Sequence, residues 1–192
     1  MSLPNAYLDA GVLVAYGFGV HDTHYIKASE VIQNIIQGRY RGIVSILSLL
    51  ETMDVIRKRV VDRTSVNILG QKSDLERKKY VLQESTKKYS KLIDDLTKAA
   101  KSNQIAIVDF KGTDISEVFL SCNDLLSKKF GDVLFFDRCW ICRRRYEHYE
   151  YKGLGPVDAM HFDLAKRIPC DIFVTTDKGF QGLNGEINVN VI

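Results

Sequence analysis

The chain lacks an apolar run long enough to cross a membrane, because no stretch of it approaches about 18 apolar residues. A secretory signal has a basic segment ahead of an apolar core. The first residues, MSLPNAYLDAG, do not have this pattern. These two absences predict that no membrane is a partner and that the protein is cytoplasmic.

Neither sign of charge dominates the composition. The 192 residues include 27 Lys and Arg against 24 Asp and Glu, so the net charge of +3 does not by itself indicate a nucleic-acid-binding protein. A hydrophobic content of 45% is ordinary for a globular protein. With no long linker, repeat or low-complexity tract, the chain is predicted to be one domain over residues 1–192.

Cysteine is scarce, with four in the chain. Cys139 and Cys142 form a C-x-x-C pair, which elsewhere marks redox or zinc chemistry. A redox pair should follow a strand at the start of a helix, whereas this one falls within a helical pattern predicted over Val133–Tyr149. A structural zinc ion would need a second pair of ligands, and the remaining residues are not spaced as one: Cys122, Cys170 and His148. Free thiols are favoured, and an intramolecular disulfide stays open.

Short apolar segments alternate with helical patterns along the chain. The predicted strands are Ala6–Asp9, Ile43–Ile46, Ile105–Phe110, Ile172–Thr175 and Ile187–Ile192. Their nearly continuous apolar runs are typical of strands covered on both faces. The other predicted helices are His24–Gln37, Ser48–Val61, Lys72–Lys101, Asp114–Lys129 and Asp158–Arg167. This order predicts an α/β fold, a three-layer α/β/α sandwich around a mostly parallel five-stranded sheet.

The helix predicted over Lys72–Lys101 carries an apolar residue every seven positions. These residues are Leu75, Leu82, Tyr89 and Leu96. Such a stripe packs on the body of the protein or on a partner chain, so core packing and a homodimer both stay open.

Two basic segments are candidates for binding RNA. Arg143, Arg144 and Arg145 are consecutive and are followed by aromatic residues in RRRYEHYEYKG. Arginine pairs with phosphates and aromatic rings stack on unpaired bases. Nine basic and five acidic residues fall between Lys72 and Lys101. A solvated charged face is the alternative for both segments.

Four acidic residues fall where predicted elements begin or end. Asp9 ends the first strand, Asp177 follows the fourth, Asp158 opens a helix, and Glu51 lies one turn inside the helix after the second strand. Ligands of open parallel sheets bind at the carboxyl ends of the strands, so these acids are predicted to converge there. Oxygen ligands without thiol or imidazole suit Mg²⁺ or Mn²⁺.

Charge repulsion also favours a metal at such a site. An isolated carboxylate in an apolar setting is costly, and crowded carboxylates have raised pKa values unless a cation balances them. With metal, the cluster could activate a water and stabilise the charge of a phosphodiester under attack. Each acid also has a simpler interpretation: Asp158 and Asp177 could cap helices, and Glu51 could be an exposed helix residue.

Four motifs together resemble the PIN-domain family of nucleases. They are YLDAGVLVAY, SILSLLETMDVI, GPVDAMHFDLAKR and IFVTTDKGF, which occur in the family's order and include both ends of the chain. The resemblance implies a ribonuclease that uses Mg²⁺ or Mn²⁺, with Asp9, Glu51, Asp158 and Asp177 as catalytic metal ligands and Thr175 as a polar neighbour. Many bacterial and archaeal members are toxins with an antitoxin partner, and others act in ribosomal RNA maturation or decay.

The chain departs from the family pattern in two ways. Members often have Asp-Thr-Asn after the first strand, whereas this chain has Asp9-Ala10-Gly11, which removes a hydroxyl and an amide. The chain is also longer than a minimal PIN domain, and helical insertions are predicted at about 60–101 and 130–155.

Two other hypotheses stay open. One is a catalytically silent PIN-like RNA-binding or scaffold protein, since a retained fold does not guarantee retained chemistry. The other is a phosphoryl-transfer enzyme on a different parallel-sheet fold, although no glycine-rich phosphate loop is present.

Overall fold

Strands and helices alternate through most of the computed structural model, which describes residues 3–64, 70–110, 115–129, 132–138, 145–151, 154–181, 183, 185 and 187–192. The strands are β1 (Asn5–Leu8), β2 (Arg41–Ser45), β3 (Ile105–Val108), β4 (Asp132–Arg138), β5 (Arg145–Tyr151), β6 (Ile172–Thr175) and β7 (Asn188–Val191). The α-helices are α1 (Ala10–Phe18), α2 (Tyr25–Ile36), α3 (Ile46–Arg63), α4 (Asp74–Lys101), α5 (Ile115–Lys129) and α6 (Pro156–Arg167). None of the helices in these ranges is both long enough and apolar enough to span a bilayer.

Five strands form an all-parallel central sheet in the order β3-β2-β1-β6-β7. Tyr7 of β1 lies opposite Ile43 on one side and Phe173 on the other. The chain order therefore runs outward in both directions from β1. This makes the boundary between β1 and β6 the switch point, outside which parallel sheets bind ligands. The predicted three-layer α/β/α sandwich is confirmed.

Both faces of the sheet are covered, which explains the continuous apolar runs in the strands. Ala6 and Leu8 of β1 face a core built with α1, α2 and α4. Tyr7, between them, faces the other core, where α6 supplies Phe162 and the Tyr7 ring stacks on Phe173 at 5.3 Å between centroids. Successive residues of one strand thus enter two different cores.

Helix α1 follows β1 directly and was not predicted as a helix. Seven of its nine residues are buried, because it packs against α2, α3, α4 and the sheet. A helix that is apolar on every side lacks the one-sided stripe by which amphipathic helices are identified. Its residues therefore continue the apolar pattern of the strand before it.

The helix predicted over Val133–Tyr149 is wrong. The backbone there forms two antiparallel strands, β4 and β5, with Asp132 opposite Tyr151 and Arg138 opposite Arg145. Aromatic residues are frequent in this stretch, and these favour strands over helices. The C-x-x-C pair and the first two residues of the arginine run lie outside the described residues: Cys139, Cys142, Arg143 and Arg144.

The apolar stripe of α4 divides into two halves. Leu92 and Leu96 are buried in the core beneath the sheet. Leu75 and Leu82, nearer the start of the helix, are 61% and 60% exposed. Core packing is therefore confirmed for the second half of the helix alone, and self-association through the first half stays a prediction.

Candidate acidic site at the carboxyl edge of the sheet

Asp9 is a buried acid at the point where β1 turns into α1. Its side chain is 6% exposed, and its Oδ2 accepts a hydrogen bond of 2.8 Å from Thr175 Oγ1. Thr175 is itself fully buried and ends β6, the strand beside β1. Burial raises the pKa of Asp9, the nearby Glu51 charge raises it further, and His161 and the Thr175 hydrogen bond act against that increase. Thr175 thus orients the carboxylate, as the resemblance implies.

Asp177 and Asp158 each begin a helical turn, and each is held by a backbone amide. The Asp177 backbone N–H donates to Thr175 Oγ1 at 3.0 Å, and Asp177 Oδ1 accepts from the Gly179 N–H at 2.7 Å. Asp158 Oδ2 accepts from the Gly155 N–H at 2.7 Å, in the first turn of α6. The predicted cap at Asp177 is confirmed. The predicted cap at Asp158 is wrong, because Gly155 holds the N-cap position of α6 and Asp158, the third residue of the helix, bonds back to the Gly155 amide.

The four acids lie close enough together for their charges to interact, and the pKa of Asp158 shows this interaction. Burial is the main cause that raises this pKa to about 6, and the charges of Asp9, Asp177 and Glu51 add to the increase. The hydrogen bond from the Gly155 amide acts in the opposite direction. The strand ends and helix starts therefore gather these carboxylates at the same edge of the sheet. Hereafter they are called the acidic site: Asp9, Glu51, Asp158 and Asp177.

Glu51 is held by a histidine on another helix. Its side chain is 33% exposed, and its Oε2 lies 2.9 Å from Nε2 of His161, which is fully buried. An ionised carboxylate only accepts hydrogen bonds, so His161 Nε2 carries the hydrogen. His161 lies one turn after Asp158 on α6, and it therefore couples the positions of two acids that come from different helices.

A buried polar network supports His161 from the side away from Glu51. Its Nδ1 lies 2.8 Å from Tyr7 Oη, which is 2.8 Å from Ser45 Oγ. Ser45 Oγ lies 2.8 Å from Ser48 Oγ, and Ser48 Oγ donates to the Leu8 carbonyl at 3.2 Å. The four side chains are fully buried, and burial raises the pKa of Tyr7 to about 12. The network joins β1, the end of β2, the start of α3 and α6.

The sequence pattern indicated little of this network. A serine at the start of a helix is a common cap, so the sequence predicts Ser45 or Ser48 as the cap of α3, and Ser45 does accept from the Ser48 N–H at 2.9 Å. His161, Asp54 and Asp163 stand near the four acids in the sequence and are candidates for auxiliary roles on that ground alone. The sequence signal for this network was the occurrence of polar residues at the ends of apolar strands, near Asp9 and Glu51.

Gly11, the second residue after Asp9, has a steric reason in the structure. A Cβ atom on Gly11 would collide with Thr176 Oγ1 and would stand 3.6 Å from Asp9 Oδ2. Gly11 therefore lets the Thr175–Asp177 segment approach the first turn of α1. Where PIN-domain proteins often have Asp-Thr-Asn, this chain has Asp9-Ala10-Gly11. The glycine permits this close contact, and the Asp9 carboxylate is retained.

The acidic site has the donor atoms that a hard divalent cation prefers, but its side chains are not positioned around one metal ion. Its donors are carboxylate oxygens, and their mutual repulsion favours a cation. Among the residues that the structure describes, no three His, Cys, Asp or Glu side chains stand close enough to hold a metal ion. Closing the site would require side-chain movement, for example of Asp158 and Asp177 away from their capping amides.

Comparison with known proteins adds no family to this description. No protein-family model matches the chain, and no curated protein matches it in sequence.

Proposed function

We propose that this protein is a metal-dependent endoribonuclease of the PIN-domain type, which hydrolyses RNA phosphodiester bonds at the acidic site. The observation that carries the proposal is the buried Asp9 carboxylate at the switch point, with Glu51, Asp158 and Asp177 close enough to act on the same pKa. Keeping four carboxylates in one neighbourhood is costly for folding, which favours a ligand that uses them.

The substrate's charge favours a cation at this site. A phosphodiester is anionic, and it does not approach four carboxylates unless positive charge lies between them. Asp9, Glu51, Asp158 and Asp177 would hold Mg²⁺ or Mn²⁺, which supplies Lewis acidity and a water of lowered pKa. Thr175 keeps Asp9 in one orientation and His161 does the same for Glu51.

The remaining parts of the proposal concern partners. Arg143, Arg144 and Arg145, or the basic side of α4, would hold RNA phosphates. An antitoxin-like protein partner is proposed from the resemblance of the four motifs, and a cytoplasmic location is part of the same proposal.

The test compares wild type with Asp9→Asn on a mixed set of labelled RNAs, with Mn²⁺, with Mg²⁺ and with EDTA. We expect the wild type to cut only with metal and the variant to be slower by on the order of 100-fold or more. The matched control is Asp94→Asn, which removes an exposed acid from α4 and should cut like the wild type. Undiminished, metal-dependent cutting by Asp9→Asn would refute the proposal.

A second candidate function is RNA binding without catalysis. The open arrangement of the acidic site favours it, since no three ligands stand together in the described residues. RNA bound equally well in EDTA, with no cutting under either metal, would favour this candidate over the nuclease.

A further inference from the structure

Large apolar side chains are exposed along one side of α3 and the first half of α4. On α3 these are Leu50, Met53 and Val61, which are 60%, 43% and 42% exposed. On α4 they are Leu75 and Leu82, which are 61% and 60% exposed. Their spacings of three, eight and seven residues place the members of each helix on one face. Two of the five, Val61 and Leu82, line the same groove, and grouped apolar surface marks interaction sites more often than single exposed residues do.

A groove of about 580 Å³ lies between the two helices at this surface. Its apolar floor is formed by Val61 of α3 and by Val81 and Leu82 of α4. None of the described residues that line it is aromatic. The aliphatic floor suits the side chains of a protein segment, whereas unpaired nucleic-acid bases bind mainly by stacking on rings.

The rim of the groove is basic. Four cationic side chains line it: Arg57, Lys58, Arg77 and Lys78. Among the described lining residues Asp54 is the single carboxylate, and it already pairs with Arg57 at 2.8 Å and with Lys58 at 2.6 Å. An occupant that carries acidic residues beside an apolar stripe is complementary to this rim and floor.

The same charges argue against a second copy of this chain as the occupant. A symmetric dimer would place the groove against itself, so the basic rim of one copy would face the basic rim of the other. Like charges across an interface suppress association.

We infer that the groove between α3 and the first half of α4 is a docking site for an acidic amphipathic helix of another protein. Apolar residues of that helix at positions i, i+3 or i+4, and i+7 fill the floor, and its acidic residues face the rim. Because Glu51 lies one turn before Asp54 on α3, a helix bound there lies beside the acidic site. The inference does not depend on nuclease chemistry.

The test is a selection from a display library of random peptides of about 16 residues, long enough for about four helical turns. Peptides are selected on the wild type and counter-selected on the double variant Val61→Ser, Leu82→Ser. We expect the retained peptides to be acidic, with apolar residues at helical spacing. In fluorescence anisotropy their Kd should rise at least about 10-fold on the double variant and on the pair Arg57→Gln, Lys78→Gln. Leu120→Ser is the matched control, since Leu120 is 66% exposed on α5, and it should bind like the wild type.

Three outcomes overturn the inference. In the first, the retained peptides are neutral or basic, or they bind the double variant as tightly as the wild type. In the second, sedimentation shows a wild-type dimer that the double variant loses, which makes a second copy the occupant. In the third, single-stranded RNA binds the wild type and the double variant loses that binding. Binding of the peptides in EDTA keeps the result separate from any metal-dependent activity.

Discussion

Asp9 shows how one residue can be costly for the fold and still be held in a single position. It lies between an apolar strand and an apolar helix, it is 6% exposed, and burial raises its pKa. An isolated buried carboxylate is destabilising by several kcal/mol unless it is neutralised or hydrogen-bonded. The hydrogen bond from Thr175 fixes the orientation of Asp9, and this bond and the nearby His161 both lower the pKa that burial raises.

The pH dependence of folding should report the raised pKa of Asp158, to which burial contributes most and the neighbouring carboxylates add. The pKa of Asp158 is raised from 3.8 to about 6, so the folded state keeps this proton at pH values where the unfolded state has lost it. Its contribution to stability is therefore full below about pH 4 and is lost as pH rises through about 6, by at most about 3 kcal/mol.

We expect Asp158→Asn to remove much of this pH dependence in urea unfolding from pH 4 to 8 with EDTA present. Asparagine still accepts from the Gly155 N–H, so the hydrogen bond from the first turn of α6 back to Gly155 is kept. The exposed Asp94→Asn should keep the wild-type slope. A slope that is the same in wild type and Asp158→Asn would contradict the raised pKa of Asp158.

His161 should act on metal binding through Glu51. In His161→Leu, Glu51 loses its buried donor, and we expect Mn²⁺ affinity measured by calorimetry to fall about 10- to 100-fold. His161→Gln should recover part of the loss, because its amide N–H can still donate to Glu51. The exposed His21→Leu is the matched control, and equal affinity for wild type and His161→Leu would show that Glu51 needs no such support.

At the scale of elements, three helices begin at the carboxyl edge of the sheet, and each brings an acid there. Asp9 precedes α1, Glu51 lies in the second turn of α3, and Asp158 lies in the first turn of α6. Helix N-termini favour negative charge, which offsets part of the repulsion among the acids. The start of α3 is the best anchored of the three because its cap, Ser45, belongs to the buried network.

Two capping serines offer a matched comparison of helix starts. Ser45 caps α3 from a fully buried position and hydrogen-bonds Tyr7, whereas Ser73 caps α4 at the surface in a capping box with Glu76. We expect Ser45→Ala to lower the free energy of unfolding by about 2 kcal/mol, roughly half from the cap and half from the bond to Tyr7. Ser73→Ala should cost about 0.5–1 kcal/mol. Urea titration measures both, and equal losses would mean that the network adds nothing to the cap.

At the scale of the whole molecule, the sheet order brings distant parts of the chain together. β1 and β6 pair as neighbours although more than 150 residues separate Leu8 from its partner Val174. This pairing sets Thr175 beside Asp9 and makes the acidic site depend on the complete fold. A cation that binds the acidic site should therefore raise the free energy of unfolding of the whole protein.

Mn²⁺ should stabilise the folded protein. At a concentration 100 times its Kd, a ligand that binds only the folded state adds about 2.7 kcal/mol. We expect thermal unfolding of the wild type to shift upward with Mn²⁺ and to return with EDTA, and Asp9→Asn to show no shift. Equal stabilisation of that variant would place the metal elsewhere on the molecule.

The elements that could be predicted are helices with a one-sided apolar pattern and strands with a short continuous apolar run. The five parallel strands and helices α2, α3, α4, α5 and α6 agree with the prediction to within a few residues. Helix α1 was missed because it is buried on all sides, and β4 and β5 were taken for a helix because aromatic and apolar residues in that stretch follow no clear period. The four acids were found because each is a charge at the border of an apolar run.

Local chemistry by itself determined the strands, the caps at Ser45 and Asp177, and the choice of acids, since each depends on neighbours a few residues away. Tertiary structure alone decided which strands are neighbours, that Thr175 orients Asp9, and that His161 with Tyr7 and the serines holds Glu51. It also decided that one half of the α4 stripe is core while the other half borders a groove. The physical reason is that these contacts join residues 30 to 170 positions apart, and such contacts exist only once the sheet order is set.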